Sequence, residues 1–252
     1  MKFSIVTCTW NSAAYLRQCI DSVRCQSYQN LEYIFVDGGS KDDTLKIIES
    51  SPMEKKIANG VSGGIALAMN KGIEMATGNV IFHLHSDDYL AHPHVLQRVA
   101  TEFSNNPALW LFGRCLSDIA GELLPESYVI PKYNYRYLLK RNFIPHPATF
   151  IRRELFDKVG FFDTKLRYAM DYDMWLRAGR IAEPIQLDEH LSVFRRHAGS
   201  LSTANPKAVL DEDYGVRLRH SSPAPWWRLY HYAHFLVRRG RMWRELAAGA
   251  GS

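Results

Sequence analysis

Along residues 2–112, short β-branched apolar runs alternate with segments of helical spacing, and this alternation narrows the possible folds more than any other feature. Lys2 to Cys8, Leu31 to Val36, Val80 to Leu84 and Leu109 to Phe112 read as strands, being short and rich in Val, Ile and Phe. Asn11-Ser12 offers an N-cap ahead of Leu16, Cys19, Ile20 and Val23, which repeat at helical spacing. Asp42-Asp43 opens a second helix. Ile65, Met69, Ile73 and Ala76 mark a third, closed by Gly78, and His94 to Phe103 a fourth. Strands and helices in turn imply an α/β fold with a mainly parallel sheet flanked by helices. Ligands of such sheets bind beyond the C-terminal strand ends. Cys8-Thr9, Asp37 and Asp87 all fall at such ends and should converge.

After about residue 115 the alternation breaks down, and residues 121–150 are rich in Pro and Tyr. Arg153 to Val159 and Tyr172 to Ala178 read as short helices, and Ser192 to Arg195 as a late strand. An apolar content of 46% supports a sizeable core and argues against disorder. Cys8, Cys19, Cys25 and Cys115 form no C-x-x-C pair and read as reduced structural thiols of a cytoplasmic protein. Met1-Lys2 leads directly into a strand, so no secretory signal is expected. No run reaches the ~18 apolar residues of a membrane span.

The positive charge is concentrated at the C-terminal end. Residues 214–244 hold seven arginines and no acid, whereas residues 1–213 carry 24 Lys and Arg against 25 Asp and Glu. Residues 226–244 read as an amphipathic helix, with Leu229, Ala233, Leu236 and Trp243 on one stripe and His231, His234, Arg238 and Arg241 on the other. Gly240 falls on the apolar stripe. Such a helix either docks on its own domain or a second subunit, or lies on an anionic membrane with Trp226, Trp227 and Trp243 at the interface.

Ser86-Asp87-Asp88 at a strand end either caps the next helix or places Asp87 on Mg²⁺ or Mn²⁺, which prefer a few carboxylates and complete their shell with phosphate oxygens and water. Asp37-Gly38-Gly39-Ser40 is either a turn or a nucleotide contact, its glycines permitting close approach. Asn70-Lys71-Gly72 lies on a helix, where Lys71 is either solvated or meets a phosphate. Asp171 and Asp173 flank Tyr172. They either favour a helix N-terminus, or one of them serves as the base that deprotonates an acceptor hydroxyl. Spacing does not choose between the two acids. His197 is either structural or a further donor to Mn²⁺.

With these residues in view, the chain resembles a family-2 glycosyltransferase of the GT-A fold over roughly residues 2–200. The resemblance is carried by SIVTCTWN from Ser4, YIFVDGGSKDDT at 33–44, AMNKGIEMATGNVI at 68–81, HSDD at 85–88, HPATFIRRELFDKVGFFD at 146–163 and MDYDMWLRAG at 170–179. It implies a GT-A domain over 1–205, with a nucleotide-sugar-binding half (1–115) and an acceptor and catalytic half (116–205), followed by a basic helical tail (206–252). It implies inverting transfer of one sugar from a nucleotide-diphosphate sugar. Thr7, Thr9, Asp37, Asn70, Lys71 and Asp87 then bind the donor. Asp87 and His197 hold Mn²⁺ or Mg²⁺, Asp171 is the base, and His146 and Asp173 lie on the acceptor side. His85 stands where the family's motif carries Asp or Asn, and Met170 where Glu precedes the base.

The acceptor this implies is a glycan, lipid-linked, in bacterial surface polysaccharide synthesis. The enzyme would be cytoplasmic and peripheral on an anionic membrane through its tail, with a homodimer as an alternative use of that helix. Polyprenyl phosphate as acceptor is a second enzymatic reading, since an anion needs no base. A non-catalytic nucleotide-sugar or nucleic-acid binding protein is a third, and the lack of RNA- or DNA-binding motifs argues against a nucleic-acid partner.

Overall fold

In a computed structural model, which describes residues 1–126, 130–197, 199 and 205–249, the chain builds one mixed sheet covered by helices on both faces. The first half contributes β1 (Phe3–Thr9), α1 (Leu16–Arg24), β2 (Leu31–Asp37), α2 (Thr44–Ser50), β3 (Lys55–Ala58), α3 (Ile65–Met75), β4 (Val80–His83), β5 (Tyr89–Leu90) and α4 (Val95–Asn105). The second half contributes β6 (Trp110–Ile119), β7 (Glu122–Pro125), α5 (Tyr135–Leu138), a 3₁₀ turn (His146–Ala148), β8 (Thr149–Arg152), α6 (Arg153–Val159), α7 (Met170–Ile181), β9 (Ile185–Arg196), α8 (Pro206–His220) and α9 (Pro225–Gly249). The strands lie in the order β3-β2-β1-β4-β8-β6-β9-β5, with β7 paired to β6.

Strands β3, β2, β1 and β4 are parallel, as the alternation implies. Beyond β4 the direction reverses, because β8 is antiparallel to both β4 and β6. Both faces of the parallel half are buried, so its strands read as unbroken apolar runs. Alternate residues feed two cores. Phe3, Ile5, Tyr33 and Phe35 pack with Leu16, Cys19, Ile20 and Val23 of α1 and with Val95, Leu96, Val99 and Phe103 of α4. Val6, Cys8, Ile34 and Val36 pack with Met69 and Ile73 of α3 and with Met174 and Trp175 of α7.

The structure departs from expectation at several elements. Helix α1 starts at Leu16, and no side chain caps it. Ser12 instead turns its carbonyl to the N–H groups of Tyr15 and Leu16, while its own N–H donates to Thr44 Oγ1 at 2.7 Å. Strand β3 escapes the apolar pattern because it is an edge strand. It carries Lys55 and Lys56, and Lys56 pairs with Glu32 at 2.8 Å, a charged edge being a common guard against further pairing. Strands β6 and β9 are longer than their apolar cores suggest. They pair in parallel through a bulge around Gly113, where a Cβ would come within 2.5 Å of Leu191.

The C-terminal helices depart most. Helix α9 packs on α8 through its polar side. His231 is 1% exposed and bonds Ser221, His234 meets buried Arg217 at 2.7 Å, and Arg238 pairs with Asp213. Phe235 stacks on Tyr214 at 4.7 Å. The apolar stripe faces outward. The polar side chains find fixed partners on and just after α8.

Gly72 of α3 faces Val6 of β1, and a Cβ at this position would lie 2.2 Å from Val6 Cγ1. Valine is stiff at χ1 and cannot swing aside cheaply. Gly72→Ala should therefore destabilise the fold by about 1–2 kcal/mol in urea unfolding, the overpacking cost outweighing the roughly 1 kcal/mol gained in helix propensity.

Candidate functional site

A cleft of about 1080 Å³ opens beyond the C-terminal ends of β1 and β4, bounded across by the start of α7 and by β6 and β9. That is at or just above the usual range of ligand pockets, about 300–1,000 Å³. Thr9, Asp87, His146 and Asp171 line it, as expected of site residues. Thr7, Asp37, Asn70, Lys71, Asp173 and His197 do not. The loops after β1 and β2 are stitched together along one side. Asn11 N–H donates to Ser40 Oγ, Lys41 N–H to Asn11 Oδ1, and Ala13 N–H to Asp42 Oδ2.

Asp37 is fully buried and its carboxylate is spent within its own loop. Gly39 N–H and Ser40 N–H donate to Oδ1, and the Thr9 and Ser40 hydroxyls to Oδ2. A carboxylate has about four acceptor sites, so none remains for a ligand. Burial raises its pKa, and the bonds from Ser40, Thr9 and Gly39 outweigh burial, holding it below the ordinary carboxylate range. The expected donor contact is here a loop brace, with the exposed indole of Trp10 beside it on the cleft. Thr7 is buried and donates to the Leu84 carbonyl. Asn70 bridges both main-chain groups of Phe162. Lys71 pairs with Glu74 on the exposed side of α3. The family resemblance implies donor roles for these three, and tertiary packing turns them to partners within the protein.

The Asp87-Asp88 turn is organised by Arg195, a residue the sequence reading passed over. Its N–H donates to Asp88 Oδ1 at 3.0 Å and its Nε to the Asp87 carbonyl at 3.1 Å. Its guanidinium also pairs with Asp118 at 3.1 Å and lies over the Tyr15 and Tyr89 rings. Asp88 Oδ2 is buried with no partner among the described residues, and burial, aided by the neighbouring Asp87 charge, pushes its carboxyl well above the ordinary range. Asp87 is the acid of the turn that meets a distant side chain. Its Oδ2 lies 2.9 Å from His197 Nε2, although 110 residues separate them. One carboxylate and one imidazole fit a divalent cation whose remaining positions are filled by phosphate oxygens and water. Among the described residues no group of three or more His, Cys, Asp or Glu is placed to hold a metal.

Asp171 and Asp173 share the first turn of α7 but occupy opposite environments. Asp171 lines the cleft. Its Oδ2 accepts from Asn142 Nδ2 at 3.3 Å, and burial pushes its carboxyl up to about 6. Asp173 turns away from the cleft and is 3% exposed. His220 Nε2 lies 2.8 Å from its Oδ1, and Arg177 donates to its Oδ2 at 2.8 Å. Burial raises its pKa, and the His220 bond and Arg177 charge overcome that and hold it low. The geometry makes Asp173 a brace of the helix rather than an acceptor contact. Glu212 of α8 completes the support, accepting from the N–H groups of Arg167, Tyr168 and Ala169 just before α7 begins. No sequence signal links Glu212 or His220 to Asp171; only the packing of α8 against α7 does.

His146 stacks on His85 at the cleft, with ring centroids 5.0 Å apart. Neither ring nitrogen of His146 has a partner in the protein among the described residues, and burial drives its pKa well below that of ordinary histidine. His85 is lowered likewise by burial. The pair is thus neutral, and a neutral imidazole offers one donor and one acceptor to a ligand.

The comparisons with known proteins agree with this architecture. Residues 4–160 match the family described as glycosyl transferase family 2. A PGL/p-HBAD biosynthesis glycosyltransferase of Mycobacterium bovis is 33% identical over 228 residues, covering 87% of this chain and 85% of the relative. An uncharacterized glycosyltransferase of Mycobacterium tuberculosis is 30% identical over 212 residues, covering 83% and 80%. Among solved structures, S. aureus TarS 1–349 in complex with UDP-GlcNAc superposes with a TM-score of 0.72 at 21% identity, over 94% of this chain and 72% of that one. The longer TarS chain is matched over 43% of its length. The mannosyltransferase PcManGT from Pyrobaculum calidifontis, in complex with GDP-Man and Mn²⁺, gives 0.68 at 17% identity, over 99% and 79%. The fold is GT-A, and the chain belongs to glycosyltransferase family 2 and is a glycosyltransferase.

Proposed function

We propose that this glycosyltransferase moves one sugar, with inversion, from a nucleotide-diphosphate sugar to a hydroxyl of a lipid-linked glycan. The observation that carries the reading is the pairing, in one cleft, of the Asp87 turn with the raised carboxyl of Asp171. A base poised near 6 is ionised at neutral pH and still basic enough to take a proton as one develops on the acceptor. The acceptor oxygen attacks the anomeric carbon on the face opposite the diphosphate. Its proton passes to Asp171, and the bond to the diphosphate breaks with its electron pair on the phosphate oxygen. A divalent cation at Asp87 and His197, when bound, neutralises charge on the departing diphosphate. Arg196, exposed on the cleft, adds positive charge for the phosphates.

The relatives support the substrate classes. TarS was solved with UDP-GlcNAc and PcManGT with GDP-Man and Mn²⁺. The Mycobacterium bovis relative is named for PGL/p-HBAD biosynthesis. Asn142 serves as a positioning residue, since its amide donates to the Asp171 carboxylate and steadies the charged form.

Asp171→Asn should lower kcat by roughly 10²–10⁴-fold while nucleotide binding survives. Retention of most activity would instead favour a polyprenyl-phosphate acceptor. In the wild type, kcat/KM should fall as pH drops through about 6, because protonation of Asp171 removes the base. Asn142→Ala removes a bond that lowers the Asp171 pKa, so its acid limb should move to higher pH. An unmoved limb would assign the pH dependence to another group.

The cation site is tested by binding rather than turnover. Titration of UDP or GDP calorimetrically, with and without Mn²⁺, should show metal-enhanced affinity in the wild type. Asp87→Ala should lose the enhancement and keep the metal-independent part. Equal enhancement in both proteins would place the cation elsewhere.

A further inference from the structure

Helix α9 carries two faces of different kinds, and among the described residues only one of them is docked on the rest of the protein. The docked face is made of His231, His234, Phe235 and Arg238. The opposite face presents Trp226, Leu229, Leu236, Val237 and Trp243, with Trp226 70% and Leu229 68% exposed. At 3.6 residues per turn these positions fall within one continuous stripe. Arg228 and Arg239 border the stripe on one side, Arg241 borders it on the other, and Arg244 lies within it. All four arginines are exposed and enter no ion pair among the described residues. No acid occurs between residues 214 and 244 to neutralise them.

We infer that this outward face of α9 is a docking surface for an anionic lipid bilayer. An apolar stripe bordered by arginines on both sides matches an interface in which the stripe enters the acyl boundary and the guanidinium groups reach the headgroups. Indoles favour the same depth, because their rings are apolar and their N–H is polar. A second copy of the chain fits less well. An isologous pairing of this face would bring the same arginines toward one another, with Glu245 the single acid on the helix to set against them. No helix among the described residues is long and apolar enough to cross a membrane, so the contact is one of lying on the surface. The opposite side of the helix is fixed to α8, and α8 fixes α7. Adsorption through α9 would therefore orient the whole catalytic helix relative to the lipid plane. The inference deepens the lipid-linked-acceptor reading and rests on that reading for its purpose, while its geometry stands on α9 alone.

The test uses the full chain and vesicles of phosphatidylcholine, with or without phosphatidylglycerol. Co-sedimentation should be at least about tenfold tighter with phosphatidylglycerol, consistent with several arginines each adding to the attraction, and should weaken as salt rises. Tryptophan emission should shift to the blue on binding, as indoles leave water. Leu229→Glu with Leu236→Glu should reduce binding at least about tenfold while nucleotide affinity holds, because neither residue approaches the cleft. Arg228→Gln with Arg239→Gln and Arg241→Gln provides a second variant on fully exposed positions, and should remove the preference for phosphatidylglycerol. Equal binding to both vesicle types by the wild type, or undiminished binding by both variants, would overturn the inference. So would a wild-type dimer in sedimentation velocity that the double Leu variant splits, since the face would then belong to a second copy. Vesicle binding by a protein that transfers sugar to no lipid-linked acceptor would leave this surface standing and defeat the acceptor reading, so the two fail separately.

Discussion

Everything at the cleft depends on the parallel register of β1 with its two neighbours. Thr9 lies opposite Asp37 across β1 and β2, and Val6 opposite His83 across β1 and β4. Parallel strands leave their C-terminal ends at one edge, so the loops after all three strands emerge together. Two of them then stitch to each other through Asn11, Ser40, Asp42 and Thr44, and the third supplies Asp87. A one-residue slip of β1 would turn its alternate side chains to the wrong core. Both cores are sealed by fully buried aromatics such as Phe3, Phe35 and Phe112, so the register is held from both faces.

Helix α7 shows how position within a single turn decides the environment of an acid. Asp171 and Asp173 have the same side chain and the same helix dipole. One faces a cleft, accepting from the Tyr172 N–H and the Asn142 amide but meeting no cation among the described residues, and burial raises it. The other faces His220, Arg177 and Arg219, and their bonds and charges lower it. Opposite shifts of neighbouring carboxylates separate a group suited to proton transfer from one suited to structure. Arg177 also donates to the carbonyls of Val159, Gly160 and Phe161, so the brace on Asp173 ties α6 to α7.

The C-terminal helices are therefore more than an appendage. Helix α8 supplies Glu212 to the entry of α7 and His220 to Asp173, while α9 holds α8 through Asp213 and Arg217. Arg217, wholly buried, lies beside His234 and over the Tyr214 ring. Its Nε and Nη2 have no partner among the described residues, so its desolvation is offset only in part. The histidine and arginine side of α9 turns inward and its leucines and tryptophans outward.

The alternation of apolar runs with helical spacing was enough to read the parallel half of the sheet, because burial on both faces writes itself into local composition. The buried stripe of α1 at Leu16, Cys19, Ile20 and Val23 was legible for the same reason. Asp87 and Asp171 were legible as site residues from strand end, helix start and family resemblance, and both face the cleft. Asp37, Asn70 and Lys71 looked equivalent in the chain, yet one is saturated by its own loop, one is bound to Phe162 and one pairs with Glu74. Spacing places a residue on an element. Only packing decides which partners reach it first. The Asp87–His197 contact, the Arg195 clamp, the His85–His146 stack and the brace from α8 all join residues far apart in sequence. Their meeting depends on β9 running parallel to β6 and on α8 folding back over α7. The chain by itself therefore determined the sheet and the chemical types available at its edge. The tertiary structure alone decided which carboxylate is free to accept a proton and which face of the last helix is left to solvent, because both depend on contacts between segments that carry no local signature.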